Sequence, residues 1–162
     1  TVNVSYTHMG GVIGVLVGLE VSENLKGNAV IEELGKDICM QIAAMRPAFL
    51  DKSEVSEDTL AKEREIQLAQ LENDPKMASK PEKVKEGIVN GKMGKFFEEN
   101  CLMQQAFVKE NKISVEKHVA EVAKQLGGTI AVKGYFRFEK GEGLEKKQEN
   151  FAEEIAKQLG QA

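Results

Sequence analysis

The organisation of this chain is set by two adjoining stretches, GKDICMQIAAMRPAFL at residues 35–50 and VSEDTLAKEREI at residues 55–66. The first stretch continues an apolar pattern with steps of three and four residues, which predicts one buried helix face that ends just before Pro47. In the second stretch, Ser56 is placed as the N-cap of a charged helix. We therefore predict one helix that belongs to a globular body and a second helix that leaves it. The apolar pattern consists of Val30, Leu34, Ile38, Ile42 and Met45.

The charged stretch is predicted to be one leg of a helical hairpin. Leu60, Leu68 and Leu71 form a stripe that is too thin to stabilise an isolated helix in water. This helix therefore needs a partner, which is either the other leg of a hairpin or a second chain. Asn73-Asp74-Pro75 is predicted to end it.

The return leg carries a start signal and several glycines. Ser79 and Glu82 fit a capping box, with the serine as the N-cap. Gly87, Gly91 and Gly94 follow, and each glycine in a helix interior costs about 1 kcal/mol. They indicate either the close approach of another helix backbone or a break in the helix.

The rest of the sequence predicts a small sheet. Thr1–Tyr6 alternates apolar and polar residues, and Val12–Leu19 is β-branched and apolar, with a turn at Met9-Gly10-Gly11 between them. These two runs are typical of a β-hairpin. Thr129–Glu139 alternates again and predicts a third strand. Its alternation puts Ile130, Val132, Phe136 and Phe138 on one side.

Further helices flank this third strand. Ser114 is placed to cap a helix that Gly127-Gly128 closes, whereas Gln104–Ile113 is predicted to be an irregular connection. The helix has the apolar stripe Val115, Val119, Val122 and Leu126, and a last amphipathic helix carries Phe151, Ile155 and Leu159.

The predicted fold class is α+β. It consists of a three-stranded antiparallel sheet with packed helices and an inserted antiparallel helical hairpin, a coiled-coil arm. We expect residues 1–50 and 98–162 to form the globular body and residues 51–97 to form the arm.

Composition narrows the classes of function. The 162 residues carry a net charge of −4 with acidic and basic residues interleaved, which argues against a nucleic-acid-binding face. No apolar run reaches the roughly 18 residues of a membrane span. Cys39 and Cys101 lack metal-ligand spacing and favour a reducing compartment. Because the chain begins at Thr1, we expect a fragment or a processed form.

Sequence patterns that carry catalysis are missing, so we predict no catalytic residue, no metal ligand and no cofactor. Three residue groups remain open to two interpretations. His8 is either a contact residue beside a glycine-rich turn or an ordinary loop histidine. Cys101 is either an exposed thiol of a thiol enzyme or inert, and Glu139 with Glu142 is either an acid/base pair or part of a structural loop.

Four blocks of the sequence stand out, and they are SYTH (5–8) with IGVLV (13–17), DICMQIAAMRP (37–47) with KEREI (62–66), GKMGKFF (91–97) with QQAFV (104–108), and RFEKGEGLEK (137–146). In this order, and over nearly the whole chain, the blocks resemble the C-terminal half of the translation elongation factor Ts family. Ala106 stands where the family usually has a proline, and the arm tip at residues 73–80 is slightly long.

The resemblance implies a partner and a role. Members of this family release GDP from the GTPase elongation factor Tu and perform no covalent chemistry. The family's histidine at the position of His8 lies at the Tu interface, so the resemblance implies Tu-binding residues His8, Met9 and Gly10. The family's Thr-Asp-Phe-Val motif, which acts near the bound magnesium, is absent from this sequence, so we expect this half to anchor Tu. The expected compartment is the bacterial cytoplasm, or an organelle as the alternative.

A second hypothesis belongs to another class of function. The chain is then a non-catalytic assembly module whose sheet and arm form a homodimer, with little Tu binding of its own. Neither hypothesis includes a membrane or a nucleic acid.

Overall fold

The computed structural model describes residues 1–144, and the predicted helix with Phe151, Ile155 and Leu159 lies outside them. The described residues confirm the α+β class. Three strands form an antiparallel sheet in the order β1-β2-β5, and two short strands form a separate sheet. In chain order the strands are β1 (Val2–His8), β2 (Ile13–Val21), β3 (Ala106–Phe107), β4 (Glu110–Ser114) and β5 (Ile130–Glu139).

Five α-helices accompany these strands in the described part of the chain. They are α1 (Ala29–Met45), α2 (Glu57–Asn73), α3 (Pro75–Ala78), α4 (Glu82–Asn100) and α5 (Val115–Leu126). None of them is long and apolar enough to cross a bilayer. Ser56 and Ser114 accept hydrogen bonds from the backbone N–H groups of Thr59 and Lys117, so both predicted N-caps are confirmed.

Helix α1 packs on the inner face of the sheet and completes the core. It ends at Met45, and Arg46 adopts a left-handed conformation before Pro47, as the proline predicted. The predicted buried stripe is wrong at its two ends, because Val30 and Met45 are exposed. The buried face of the helix includes Ile31 and Cys39 instead.

Gly35 sets how closely α1 approaches β1. A Cβ atom at this position would lie 2.4 Å from Cγ2 of Val4, well inside van der Waals contact. The missing side chain therefore lets the helix lie directly on the strand, and the buried core residues of both elements interdigitate.

Helices α2 and α4 pack against each other as a hairpin and form the arm helices. Leu71, Val89 and Met93 are buried between them, and the other two predicted leucines, Leu60 and Leu68, are partly buried in the same cluster. The thin leucine stripe thus has its partner within the chain.

Two predictions about the return leg are wrong. Ser79 follows α3, and Pro81 precedes α4, so the capping box does not form. Helix α4 is continuous through its three glycines, and a Cβ atom at each would meet no atom within 4 Å, so the glycines mark neither a break nor a close approach. They lie on the exposed side of the helix.

The predicted irregular connection at Gln104–Ile113 is also wrong, because it contains β3 and β4. Gln41 and Gln105 are completely buried beside it. The Gln41 amide donates to Gln105 Oε1 (3.2 Å) and to the Ala106 carbonyl (3.0 Å), and its oxygen accepts from Val108 N–H (2.8 Å). These side-chain bonds join α1 to the segment that follows the arm.

The alternation predicted for β5 fails at a β-bulge. Gly134 pairs with Gly18 and Val132 pairs with Leu19, so Lys133 has no partner in the register. The extra residue reverses the faces beyond it. Phe136 and Phe138 therefore point outward, 63% and 65% exposed, while the side chains of Tyr135 and Arg137 turn toward α1.

Candidate partner interface

The turn between β1 and β2 holds an apolar side chain in solvent. Met9, Gly10 and Gly11 have φ angles of 51°, 66° and 91°, which is left-handed backbone in three successive residues. For a residue with a side chain, this conformation costs about 1 kcal/mol, and Met9 adopts it without a glycine's freedom. The bond from Val12 N–H to the Met9 carbonyl (3.3 Å) closes the turn. Met9 is 68% exposed at its tip.

His8 ends β1 directly before this turn. Its Nδ1 atom lies 3.0 Å from the Tyr6 hydroxyl, and both side chains are on the same side of the strand because the residues are two apart. The Nε2 atom makes no hydrogen bond with the described residues, so it is the ring nitrogen available to a partner.

The loop that follows β5 lies beside the turn. Glu139 pairs in register with Ile13, and Lys140 N–H donates to the Val12 carbonyl (2.7 Å). Glu139 Oε2 accepts from Arg137 (3.2 Å) and also contacts Arg46. Glu142 accepts a hydrogen bond from the Glu139 N–H (3.2 Å), which holds the loop closed.

These contacts decide between the two interpretations of Glu139 and Glu142. The Glu139 carboxylate forms ion pairs with two guanidinium groups, and the Glu142 carboxylate accepts a hydrogen bond from the backbone. The pair is therefore part of a structural loop and lacks the arrangement of an acid and a base.

Arg137 ties this end of β5 to the end of α1. Its side chain is 12% exposed, and it donates to the Ala43 carbonyl (3.4 Å), one of the last carbonyls of the helix. Arg46, at the left-handed C-cap, reaches back to Glu139. The turn, the loop and this helix end thus share one end of the sheet, which we call the sheet-end surface (residues 8–12, Arg46 and residues 139–142).

The thiols are inaccessible. Cys39 and Cys101 are completely buried, and the burial raises the pKa of both, that of Cys39 to about 11. A protonated, buried thiol is a poor nucleophile. This contradicts the exposed Cys101 on which a thiol enzyme would depend. Residues 1–144 also contain no group of three acidic, histidine or cysteine side chains arranged to hold a metal ion.

Comparison with known proteins agrees with the resemblance in the sequence. The family model described as "Elongation factor TS" matches residues 1–142. The chain is 49% identical over 156 residues to an elongation factor Ts of Clostridium botulinum and 45% identical over 155 residues to that of Clostridium kluyveri. The chain belongs to the elongation factor Ts family. These alignments cover 96% of the chain and 49% and 48% of the two relatives, so the chain spans about half their length.

In this elongation factor Ts chain, His8, Met9 and Gly10 lie next to one another at one end of the sheet. The structure also brings Arg46 and the residue 139–142 loop to them, which sequence reasoning did not include in the site. The only signal available was that Arg46 and Glu139 both lie in blocks that resemble the family. Their proximity depends on the antiparallel pairing of β2 with β5, which sequence spacing does not reveal.

Proposed function

We propose that this chain is the Tu-anchoring half of an elongation factor Ts. The whole protein would bind elongation factor Tu carrying GDP and promote the release of GDP during peptide chain elongation. The observation that carries the proposal is the sheet-end surface, where a strained turn presents Met9 to solvent next to His8. We place the protein in the bacterial cytoplasm, by analogy with its bacterial relatives.

The sheet-end surface suits recognition of another protein. An exposed methionine is an adaptable apolar anchor, and the polar or charged side chains of His8, Arg46 and Glu139 lie on the same surface, as in the rim of an interface. Because hydrogen bonds fix the turn and the loop, little conformational entropy is lost when a partner binds.

Exchange by such a protein needs no covalent step. An exchange factor lowers the affinity of a GTPase for its nucleotide by binding the nucleotide-free state more tightly than the nucleotide-bound state. An anchor that binds both states equally shifts nothing by itself. Its contribution is to hold the other half of the factor at high effective concentration beside the nucleotide site.

Titration of this chain into Tu loaded with a fluorescent GDP analogue tests the proposal. We expect complex formation with little acceleration of nucleotide release. Met9→Ala should weaken binding by about tenfold, as for an exposed interface anchor. Ile66→Ala removes another exposed apolar side chain, from the arm, and serves as the matched control. Release as fast as with a full-length factor would contradict the anchoring role, and no binding would contradict the proposal as a whole.

A homodimeric assembly module is the second candidate, and the outer face of the sheet is the observation that favours it. Phe136 and Phe138 stack with ring centroids 6.2 Å apart, and Leu16 pairs in register with Phe136 and is 40% exposed. The arm gives this candidate less support, because its leucines already pack within the hairpin.

Sedimentation of the wild type against Phe136→Ser/Phe138→Ser separates the two candidates. A wild-type dimer that the double substitution converts to a monomer, without any effect on Tu binding, would assign the outer face to self-association. A wild-type monomer at all concentrations tested would eliminate the assembly module.

A further inference from the structure

In the part of the chain that the structure describes, strand β5 leaves one edge of the sheet unpaired. It is the last strand in the order β1-β2-β5. Within the described residues, the backbone of residues 130–138 makes hydrogen bonds with β2 alone, so its outer row of N–H and C=O groups faces no other strand. Such a row is a template for an added strand.

A groove runs along the inner side of this edge. It consists of two clefts of about 350 Å³ and about 280 Å³ that share Leu50 as a lining residue. One cleft follows Ile130–Val132 and the other follows Gly134 and Tyr135. The side chains of Leu50, Met103, Ile130 and Val132 make an apolar floor.

The rim of the groove is acidic and fixed in position. Asp51, Glu54 and Glu116 line it, and none of the three forms an ion pair with a described residue. Asp51 accepts from the side-chain amide of Gln104 (2.9 Å) and from Ser53 N–H (2.9 Å). Glu54 accepts from Leu50 N–H (3.0 Å). Hydrogen bonds thus hold the first two carboxylates in place before any partner arrives.

We propose that β5 binds an extended peptide segment as a fourth strand, and that this segment alternates basic and apolar residues. The peptide backbone would pair with the open edge of β5. Every second side chain would then point into the groove, where the aliphatic part of a lysine or arginine covers the apolar floor and its cation reaches the acidic rim. This surface is distinct from the sheet-end surface and goes beyond the proposed function.

The bulge at Lys133 does not close this edge. Bulges and lysines protect exposed edges, and Lys133 forms an ion pair with Glu20 (3.1 Å) on the neighbouring strand. Beyond the bulge, residues 134–138 still form an uninterrupted run of about the length of an average strand.

The opposite edge of the sheet is an internal comparison. Strand β1 is also an edge strand, and a cleft of about 410 Å³ lies beside it. That cleft has one acidic residue, Glu32, and the carboxylate is already paired with Lys36 (3.1 Å). Among the described residues, the cleft beside β1 therefore has no unpaired carboxylate that would attract a basic peptide.

The test is an NMR titration of the ¹⁵N-labelled chain with the peptide acetyl-Thr-Lys-Val-Arg-Val-Lys-Thr-amide. We expect the amide resonances of β5 to shift and those of β1 to stay in place. Glu54→Gln/Glu116→Gln should weaken binding by about fivefold, because two exposed charge pairs are lost. Glu57→Gln/Glu65→Gln, with the same charge change on the arm, is the matched control and should bind like the wild type.

A second peptide separates strand addition from simple charge attraction. N-methylation of alternate peptide nitrogens removes backbone donors and leaves every side chain, so it should abolish the β5 shifts. Equal binding of the methylated peptide, equal shifts at β1, or no shifts at millimolar peptide would each overturn the proposal. Concentration-dependent shifts of β5 without peptide would also overturn it, since the edge would then be taken by a second copy of the chain.

Discussion

The globular body is a sheet with packed helices, and the arm is a hairpin of two helices. Apolar contacts hold both regions together, but the two regions bury very different numbers of residues. Among residues 1–144, the body has a cluster of 17 buried residues, whereas the arm helices α2 and α4 enclose three, Leu71, Val89 and Met93. Stability in a protein follows buried apolar area, so the arm should open locally at a free energy far below that of global unfolding. We therefore propose that the body defines the fold and that the arm is an appendage whose stability can be changed separately.

The largest effect is expected when one buried side chain is truncated to alanine in each region. Ile38→Ala leaves a cavity in the body and should lower the free energy of unfolding by about 2–5 kcal/mol. Leu71→Ala should raise hydrogen exchange in α2 and α4 while leaving the urea midpoint of the body almost unchanged. An equal loss of global stability in both variants would show that the arm and the body unfold as one unit.

Glycine substitutions should act in opposite directions in the two regions. Gly35→Ala places a Cβ atom against Val4 in the body and should destabilise by about 1–3 kcal/mol. Gly91→Ala in the arm meets open space and should stabilise α4 by about 1 kcal/mol, because alanine has the better helix propensity. Thermal melts followed by circular dichroism, with exchange rates for α4, would show whether the signs differ. A stabilising Gly35→Ala would refute the close packing of α1 on β1.

A substitution with a smaller expected effect would weaken the segment at residues 47–50, where the body meets the arm. The hydroxyl of the partly buried Tyr135 donates to the Pro47 carbonyl (2.6 Å), and this partial burial raises the pKa of the phenol. Tyr135→Phe should cost about 1 kcal/mol, the usual net value of one hydrogen bond. Tyr6→Phe removes a hydroxyl bonded to His8 at the sheet end and is the matched control for exchange near residues 47–50. Unchanged exchange in that segment in Tyr135→Phe would count against the bond.

Asp51 at the arm base should have the smallest effect, and only in acid. A hydrogen bond from Gln104 and bonds from Ser53 lower the pKa of Asp51 below its ordinary value of 3.8. A group with a lowered folded pKa contributes stability above the unfolded pKa and loses it as the pH falls through the folded pKa. The wild-type arm base should therefore weaken below about pH 4, and both Asp51→Asn and Gln104→Ala should reduce this acid dependence. Urea midpoints of the wild type and the two variants would be measured at pH 7 and at pH 3. An equal drop between the two pH values in all three proteins would disprove the role of Asp51.

Local signals in the sequence predicted the elements that depend on neighbouring residues. Ser56 and Ser114 were identified as caps, and Pro47 fixed the end of α1, because each acts within one turn of its own position. The bulge at Lys133 was missed, since a bulge depends on the partner strand and reverses the side of every later residue. Strands β3 and β4 were missed because they are short and their pairing is irregular.

The candidate site was predictable only in part, for a similar reason. The prediction that His8, Met9 and Gly10 contact a partner depends on their resemblance to a family block. Arg46 and Glu139 are 93 positions apart, and only the sheet topology brings them together beside the turn. The glycines of α4 remain without a structural explanation, because nothing in the described residues approaches them.

Hydrogen exchange of this chain with and without an excess of Tu carrying GDP is the most direct test of the claim that the body binds and the arm projects. We expect slower exchange at residues 8–12 and 140–142 in the complex, with little change along residues 84–95 of α4. Protection confined to the arm, with the sheet end unchanged, would contradict it.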